Sequence, residues 1–147
     1  MIRSILAVAA LLASFGAAAK TCEVSLDSTD QMKFSVAELK VEADCTEVKL
    51  TLNHTGKLAK NVMGHNWVLS TTADYQPLAT DGMKAGAAAD YLPAGDARIL
   101  AHTKLIGGGE SDTITFSTAA LKAGGDYTFF CSFPGHWAVM HGKFVFG

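Results

Sequence analysis

Three different metal-ligating side chains lie within ten consecutive residues near the end of the sequence. Cys131, His136 and Met140 supply a thiol, an imidazole and a thioether, and an upstream loop offers a second imidazole at His65. Each of these residues alone is more often a core or surface residue than a ligand. The chain holds only 3 cysteines and 5 methionines in 147 residues, so their clustering with histidine indicates a metal site.

Two imidazoles, one thiolate and a weakly bound thioether form the ligand set of blue-copper electron-transfer sites. Cu(II) prefers tetragonal nitrogen and oxygen surroundings, whereas Cu(I) prefers few, soft ligands, so a rigid set of this kind suits neither state uniquely. Such a site rearranges little on reduction, which allows fast electron transfer. The sequence therefore predicts copper as the cofactor, with His65, Cys131 and His136 as ligands and Met140 as a weak axial ligand.

Three other kinds of site use some of the same residues. Zinc accepts histidine and cysteine, but a structural zinc site needs four strong ligands, and methionine is a poor one. A hydrolase with Cys131 as nucleophile and His136 as base would need an orienting residue and an oxyanion element, and the sequence shows no clear candidate for either. We therefore predict no enzyme activity. The third alternative is a non-redox copper carrier or buffer, which would use the same ligands.

The residues next to the ligands are candidates for holding them in place, as metal sites require. Asn66 directly follows His65, and its side chain could tie the two ligand loops together. The backbone N–H groups of Asn66 and Phe133 are candidate hydrogen-bond donors to the sulfur of Cys131. Pro134 fixes φ in the short loop that carries His136.

The first 19 residues have the pattern of a secretory signal. Arg3 supplies a positive charge, residues 5–12 are apolar, and residues 17–19 are small, as at a cleavage site. The apolar run is shorter than the roughly 20 residues needed to span a bilayer. We predict a cleaved signal at residues 1–19, followed by one domain at residues 20–147 without a membrane span.

Export would place the three cysteines in an oxidising compartment. Cys22 and Cys45 are the natural disulfide pair, because Cys131 has a ligand context and they do not. The alternative is that Cys22 and Cys45 remain free thiols, which is disfavoured in an exported protein. Metal ligation would also protect the remaining thiol from oxidation. The formal net charge of −2 argues against a nucleic-acid partner, which would require a basic patch.

Hydrophobic periodicity predicts an all-β domain. Residues 47–54 alternate strictly, so that Val48, Leu50, Leu52 and His54 share one face and His54 is expected to be buried. Further strand candidates are residues 66–72, 97–101, 112–116, 126–131 and 142–146, with shorter ones near 23–27 and 33–43. Their spacing favours an antiparallel Greek-key β-sandwich or barrel.

One segment departs from this β pattern. Residues 73–89 are rich in alanine and lack runs of β-branched residues, which predicts a short helical insertion of one or two helices. Pro77 and Gly82 are expected to limit the length of these helices. Outside the ligand loops, His102 is expected at the surface.

Two motifs, at residues 61–67 and 129–136, resemble those of the azurins, the bacterial periplasmic blue-copper proteins of the cupredoxin family. The resemblance covers nearly all of the predicted mature chain. It includes residues 30–32, 80–83 and 101–107 and the spacing of Cys22 and Cys45.

The resemblance implies a cupredoxin-like Greek-key barrel of about eight strands with a helical flap. It implies a copper ion bound in one plane by His65, Cys131 and His136, with Met140 and the backbone carbonyl of Gly64 as weak axial ligands. It also implies a periplasmic, monomeric electron carrier that forms transient complexes with redox proteins, such as c-type cytochromes or copper nitrite reductase.

An apolar docking patch around His136 is a further implication of the resemblance. The patch positions are occupied here by Met32, Met63, Met83, Phe133, Pro134, Gly135 and Val139. Two residues depart from the family pattern. Trp137 stands where many relatives carry a smaller residue, and it would either enlarge the patch or shield the site. His141 stands where lysine is frequent, and an exposed titrating group there could tune the reduction potential.

Overall fold

The computed structural model describes residues 18–147, and among them it contains nine β-strands and two α-helices. The strands are β1 (Thr21–Thr29), β2 (Lys33–Phe34), β3 (Glu38–Val41), β4 (Glu47–His54), β5 (Val68–Thr71), β6 (Ala101–His102), β7 (Ser111–Ser117), β8 (Tyr127–Phe130) and β9 (His141–Phe146). The helices are α1 (Lys60–Met63) and α2 (Tyr75–Ala85), and a 3-10 turn follows at Ala87–Ala89. Residues 1–17, which hold most of the predicted signal sequence, lie outside the described residues.

The strands form two sheets, in the orders β2-β1-β4-β7 and β3-β9-β8-β5-β6. The predicted all-β Greek-key sandwich with a short helical insertion is confirmed. The predicted antiparallel pairing holds for most strand pairs, but β1 pairs with β4, and β3 with β9, in parallel. The parallel pairing of β1 with β4 arises because the intervening β3 belongs to the other sheet, so the chain returns to the first sheet in its original direction.

The core lies between the two sheets. Val48, Leu50 and Leu52 of β4 are fully buried, and they belong to the same cluster as Phe129 from the opposite sheet and Trp67, which directly precedes β5. Each fully buried side chain of this size contributes about 1.5–3 kcal/mol of transfer free energy. The alternating pattern of β4 therefore follows directly from its one buried face.

Strand β8, which leads to Cys131, is covered on both faces and has four consecutive buried residues. Phe129 faces the core between the sheets, whereas Phe130 packs in a second cluster with Leu78 and Ala79 of α2. The helical insertion thus shields the outer face of the strand that carries the cysteine, which restricts movement of that strand.

The two residues expected to shorten the helices are accommodated within α2. Pro77 lies in the first turn, where its missing N–H has no partner to lose. Gly82 lies against the carbonyl oxygen of Tyr91, which an added Cβ would approach to within 2.1 Å. The helix ends at Ala85, and Gly86 follows it with a positive φ of 79°, which glycine adopts without steric cost.

The strand predicted at residues 97–101 is largely wrong, because only Ala101 belongs to one. Turns occupy the preceding segment, where the Asp96 N–H donates to the Pro93 carbonyl and the Ile99 N–H donates to the Asp96 carbonyl. The Asp96 carboxylate also accepts from the backbone and guanidinium of Arg98. Such local side-chain bonds compete with strand pairing.

The strand predicted at residues 33–43 is two separate strands, β2 and β3, that belong to different sheets.

The predicted disulfide is present between Cys22 at the start of β1 and Cys45 just before β4. It joins residues with a sequence separation of 23. Within residues 18–147, no helix has the length and apolar character needed to cross a membrane.

Candidate metal centre

His65, Cys131 and His136 meet at one end of the sandwich, with their ligand atoms all within 4.8 Å of one another. The Sγ atom of Cys131 lies 3.8 Å from Nδ1 of His65 and 3.7 Å from Nδ1 of His136. His65 and Cys131 are fully buried, and His136 retains 4% of its surface. Two loops that are far apart in the sequence thus supply a sulfur and two nitrogens to one small volume.

These distances fit a metal ion. Bonds of about 2.0 Å to nitrogen and about 2.3 Å to sulfur, at an angle of about 120°, require a nitrogen–sulfur distance of about 3.7 Å. The observed distances of 3.7 and 3.8 Å meet this requirement for both imidazoles. The soft thiolate and the imidazoles are ligands that suit copper.

Hydrogen bonds fix both the backbone and the ring of His65. Its N–H and carbonyl pair with those of Ile106 at 3.0 and 2.8 Å. Its Nε2 lies 2.8 Å from the Thr29 carbonyl at the end of β1. Because a carbonyl only accepts, Nε2 carries the proton and Nδ1 presents a lone pair towards Cys131. Burial lowers the pKa of His65 to about 4, so the ring is neutral at physiological pH.

Gly64 places its carbonyl oxygen 3.9 Å from the Cys131 sulfur. A side chain is excluded at this position, since a Cβ would lie 2.4 Å from the Lys60 carbonyl and 3.0 Å from Leu105. The last turn of α1 and the Leu105 side chain therefore leave room only for glycine before His65.

Cys131 and Met140 are joined through the backbone. The Cys131 N–H, one residue after β8, donates to the Met140 carbonyl over 3.0 Å. Met140 is fully buried and immediately precedes β9. Its N–H donates to the His136 carbonyl over 2.7 Å, and Gly135 makes the turn with φ of 81°. The loop between β8 and β9 thus holds the Cys131, His136 and Met140 backbones in one hydrogen-bonded unit.

The cysteine sulfur has a mixed environment. Burial raises the pKa of the Cys131 thiol to about 12, against the opposing effect of hydrogen bonds from the backbone N–H groups of Asn66 and Phe133. Two N–H groups therefore donate to the sulfur, yet burial of the sulfur away from water still disfavours an unpaired thiolate. A bound cation would supply the missing positive charge.

Asn66 links the two ligand loops through its side chain. Its Oδ1 accepts from the Ser132 N–H over 2.8 Å, and its Nδ2 donates to the Ser132 Oγ over 2.7 Å. Both residues are fully buried. Since Asn66 follows His65 and Ser132 follows Cys131, this paired bond joins the two ligand-bearing segments directly.

The apolar residues named for the docking patch are exposed or partly exposed. Met32, Met83 and Val139 expose 38%, 41% and 63% of their surfaces. Met63, Phe133, Pro134 and Trp137 are half-buried, and Gly135 is exposed. The Phe133 ring packs on the ring of His136 with centroids 4.5 Å apart.

Two further exposed apolar residues, Leu58 and Val62, lie just before Gly64, outside the set predicted for the docking patch.

The histidines outside the ligand set occupy distinct environments. His102 and His141 are exposed, as expected. His54 is buried, as expected, but it also stacks on His65 with ring centroids 4.5 Å apart. Its Nε2 lies 2.8 Å from the Met63 carbonyl. The sequence pattern predicted the burial of His54 and carried no signal for this contact with a proposed ligand.

Trp137 packs against α2. Its ring lies 6.5 Å from that of Tyr75, in an edge-to-face arrangement, and Tyr75 in turn contacts His141 at 5.5 Å and Phe130 at 5.7 Å. Of the two expected effects, enlargement and shielding, the half-buried indole is compatible with both.

Comparisons with known proteins agree with this geometry. The family model for copper binding proteins of the plastocyanin/azurin family matches residues 20–147. The azurin of Bordetella pertussis is 54% identical over 144 residues, which cover 97% of this chain and 96% of that protein. The azurin of Pseudomonas fluorescens biotype C is 57% identical over 121 residues, which cover 82% and 94%.

The solved structure of the azurin Az-iso2 from Methylomonas sp. strain J is similar in fold, with a TM-score of 0.83 and 40% identity. The similarity covers 86% of this chain and 98% of that one. The sandwich, the sulfur-and-imidazole cluster and the match over residues 20–147 lead to one conclusion. The chain is a blue-copper protein that belongs to the plastocyanin/azurin family.

Proposed function

We propose that this protein is a periplasmic electron carrier that accepts and releases one electron at a copper ion. His65, Cys131 and His136 would hold the ion, with Met140 and the Gly64 carbonyl as weak axial ligands. The observation that carries the proposal is the convergence of the Cys131 sulfur with two imidazole nitrogens at 3.7 and 3.8 Å. When bound, copper supplies a one-electron Cu(I)/Cu(II) couple.

The protein's own residues favour fast electron transfer because the ligand positions are over-determined. His65 is held by a backbone pair and by the Thr29 carbonyl, and the Asn66–Ser132 bonds hold the two loops together. Burial lowers the pKa of both imidazoles, so neither ring has to lose a proton at neutral pH before it can bind. Little reorganisation is then required when the charge on the ion changes.

Electrons would enter and leave through His136, which keeps 4% of its surface exposed, whereas the side chains of His65, Cys131 and Met140 are fully buried. The surrounding apolar residues would dock against partners such as c-type cytochromes or copper nitrite reductase. A small apolar contact favours short-lived complexes, which a shuttle requires. A small contact of this kind also implies a monomer that forms only transient complexes. We propose no catalytic step.

An optical spectrum of the copper-loaded protein tests the proposal. We expect an intense sulfur-to-copper absorption with a blue colour for Cu(II), which ascorbate bleaches and air or ferricyanide restores. Cys131→Ser should remove the band and retain the fold, as checked by circular dichroism. A colourless Cu(II) protein would overturn the site assignment.

Electron self-exchange distinguishes a carrier from a copper buffer. We expect rapid exchange between the oxidised and reduced protein, measured by NMR line broadening, together with slow loss of copper to a chelator. Rapid copper loss with slow self-exchange would instead support a non-redox copper carrier.

A further inference from the structure

Two consecutive residues after α2, Asp90 and Tyr91, have left-handed backbones with φ of 51° and 56°. Aspartate adopts this conformation more readily than most residues, whereas tyrosine adopts it rarely. The Tyr91 N–H donates to the Gly86 carbonyl over 3.0 Å, and the absence of a side chain at Gly82 leaves room for the Tyr91 carbonyl. The fold thus maintains an unusual backbone at this point.

The Asp90 backbone carbonyl reaches the bond that links the two ligand loops. It accepts from Nδ2 of Asn66 over 3.3 Å and from Oγ of Ser132 over 3.0 Å. Asn66 follows His65, and Ser132 follows Cys131. Asp90 therefore closes a three-membered polar network between the helical insertion and both ligand-bearing segments.

The Asp90 side chain makes a separate hydrogen bond that also holds this residue in place. Its Oδ2 accepts from the Leu105 N–H over 3.2 Å. Leu105 precedes Ile106, whose backbone pairs with that of His65. A second connection to the His65 segment therefore passes through the carboxylate and is independent of the carbonyl.

Tyr91 contacts the remaining ligand region. Its ring packs edge-to-face on Phe133 with centroids 5.3 Å apart, and Phe133 packs on His136 at 4.5 Å. The Phe133 N–H is one of the two donors to the Cys131 sulfur. Asp90 and Tyr91 together therefore touch neighbours of all three residues in the sulfur-and-imidazole cluster.

We propose that Asp90 is a positioning residue whose left-handed backbone and side-chain bond to Leu105 hold the Asn66–Ser132 pair, and so set the hydrogen bonding of the Cys131 sulfur. The consequence for electron transfer rests on the proposed function. If the pair loosens, the N–H donors withdraw less charge from the sulfur, which favours Cu(II) and lowers the reduction potential.

Three substitutions separate the effect of the left-handed backbone of Asp90 from that of its side-chain bond to Leu105. Asp90→Asn keeps both a residue tolerant of the left-handed conformation and an oxygen acceptor for Leu105, so it serves as the matched control. Asp90→Gly keeps the backbone conformation and removes the acceptor. Asp90→Ala removes the acceptor and disfavours the conformation as well.

Amide hydrogen exchange in the metal-free protein reads out the positioning directly. The Ser132 N–H donates to Asn66 inside the network, and the amides of β4 report global stability. Relative to β4, we expect unchanged Ser132 exchange in Asp90→Asn and exchange about fivefold faster in Asp90→Ala, as for the loss of one hydrogen bond. Asp90→Gly should lie between them and carries the test if the alanine variant does not fold.

The copper-loaded variants give the second readout. The reduction potential and the sulfur-to-copper band should follow the same order, with the lowest potential for Asp90→Ala. Ser132 exchange that changes only in proportion to β4, or an unchanged potential despite faster Ser132 exchange, would overturn the proposal. A colourless wild-type copper protein would defeat the proposed function instead, and the exchange order in the metal-free protein would still test Asp90.

Discussion

At the scale of single residues, the chemistry depends on the protonation of Cys131. Burial raises the pKa of this thiol to about 12, whereas burial lowers that of His65 to about 4 and also lowers that of His136. At pH 7–9 the thiol of the metal-free protein is therefore protonated, and both imidazoles are already neutral. Binding of a cation must release one proton, and that proton comes from the sulfur.

We predict that one proton leaves per Cu(II) bound between pH 7 and pH 9, and that the apparent affinity rises about tenfold per pH unit in this range. Titration in weak buffer with a pH indicator measures the proton count directly. Cys131→Ser, whose hydroxyl stays protonated at these pH values, is the control. Binding to the wild-type protein without proton release would show that the sulfur is already ionised before the metal arrives.

Cys131, His136 and Met140 were predictable as candidate ligands because they lie within one loop, and His65 because it is an imidazole in a second short loop. Asn66 and Phe133 were predictable as supports because each lies next to or within a ligand loop, whereas the backbone carbonyls that hold these loops were not, because they come from distant parts of the chain. The Thr29 carbonyl lies 36 residues from His65, and the Asp90 carbonyl lies 24 residues from Asn66. A backbone carbonyl also has no residue type that would mark it in a sequence.

At the scale of elements, the disulfide and the metal centre lie at opposite ends of β1. Cys22 is near the start of this strand and Thr29, which contacts His65, is its last residue. Seven steps of about 3.3 Å separate them by roughly 23 Å. The disulfide should therefore stabilise the fold without affecting the ligands.

We predict that Cys22→Ser/Cys45→Ser lowers the free energy of unfolding by about 3.5 kcal/mol, the chain-entropy value for a loop of this length. Urea denaturation measures the loss, and the copper absorption band should keep its energy. A shifted band in the folded double variant would mean that the two ends of β1 are coupled.

The loop before β6 makes a pH-dependent contribution to the stability of the folded protein. The hydrogen bonds from Arg98 lower the pKa of Asp96 to about 2, below the value of about 3.9 for an unfolded aspartate. A lowered pKa stabilises the folded state above the unfolded value, and this stabilisation disappears as pH falls through the folded value.

We predict that Asp96→Asn lowers the melting temperature at pH 5–7, and that its difference from wild type closes as the pH approaches 2. Calorimetry of both proteins across this range measures the effect. Glu38→Gln, at an exposed carboxylate of β3, is the control for the loss of one negative charge. A difference that stays constant down to pH 2 would exclude the Arg98 interaction as its source.

At the scale of the whole molecule, the periodicity of the sequence predicted a β-sandwich, since each sheet buries one face. It predicted the strand that became β8, but not the burial of both its faces, which arises because α2 covers the outer face of Tyr127–Phe130. Nor did it predict the parallel pairs, since pairing direction depends on which sheet each connection reaches. Alternation reports which face is buried and contains no information about the strand's neighbour.

In the proposed function, the exposed apolar surface around His136 would determine how closely two molecules can approach. Val139 exposes 63% of its surface beside the ligand loop. In Val139→Asp, like charges would face each other when two copies meet through this patch, so we predict self-exchange slowed about tenfold or more at low salt and partly restored at high salt. NMR line broadening measures the rate. Ala119→Asp, at an exposed position near the disulfide, adds the same charge as a control. Equal slowing in both variants would mean that net charge, and not this surface, limits the encounter.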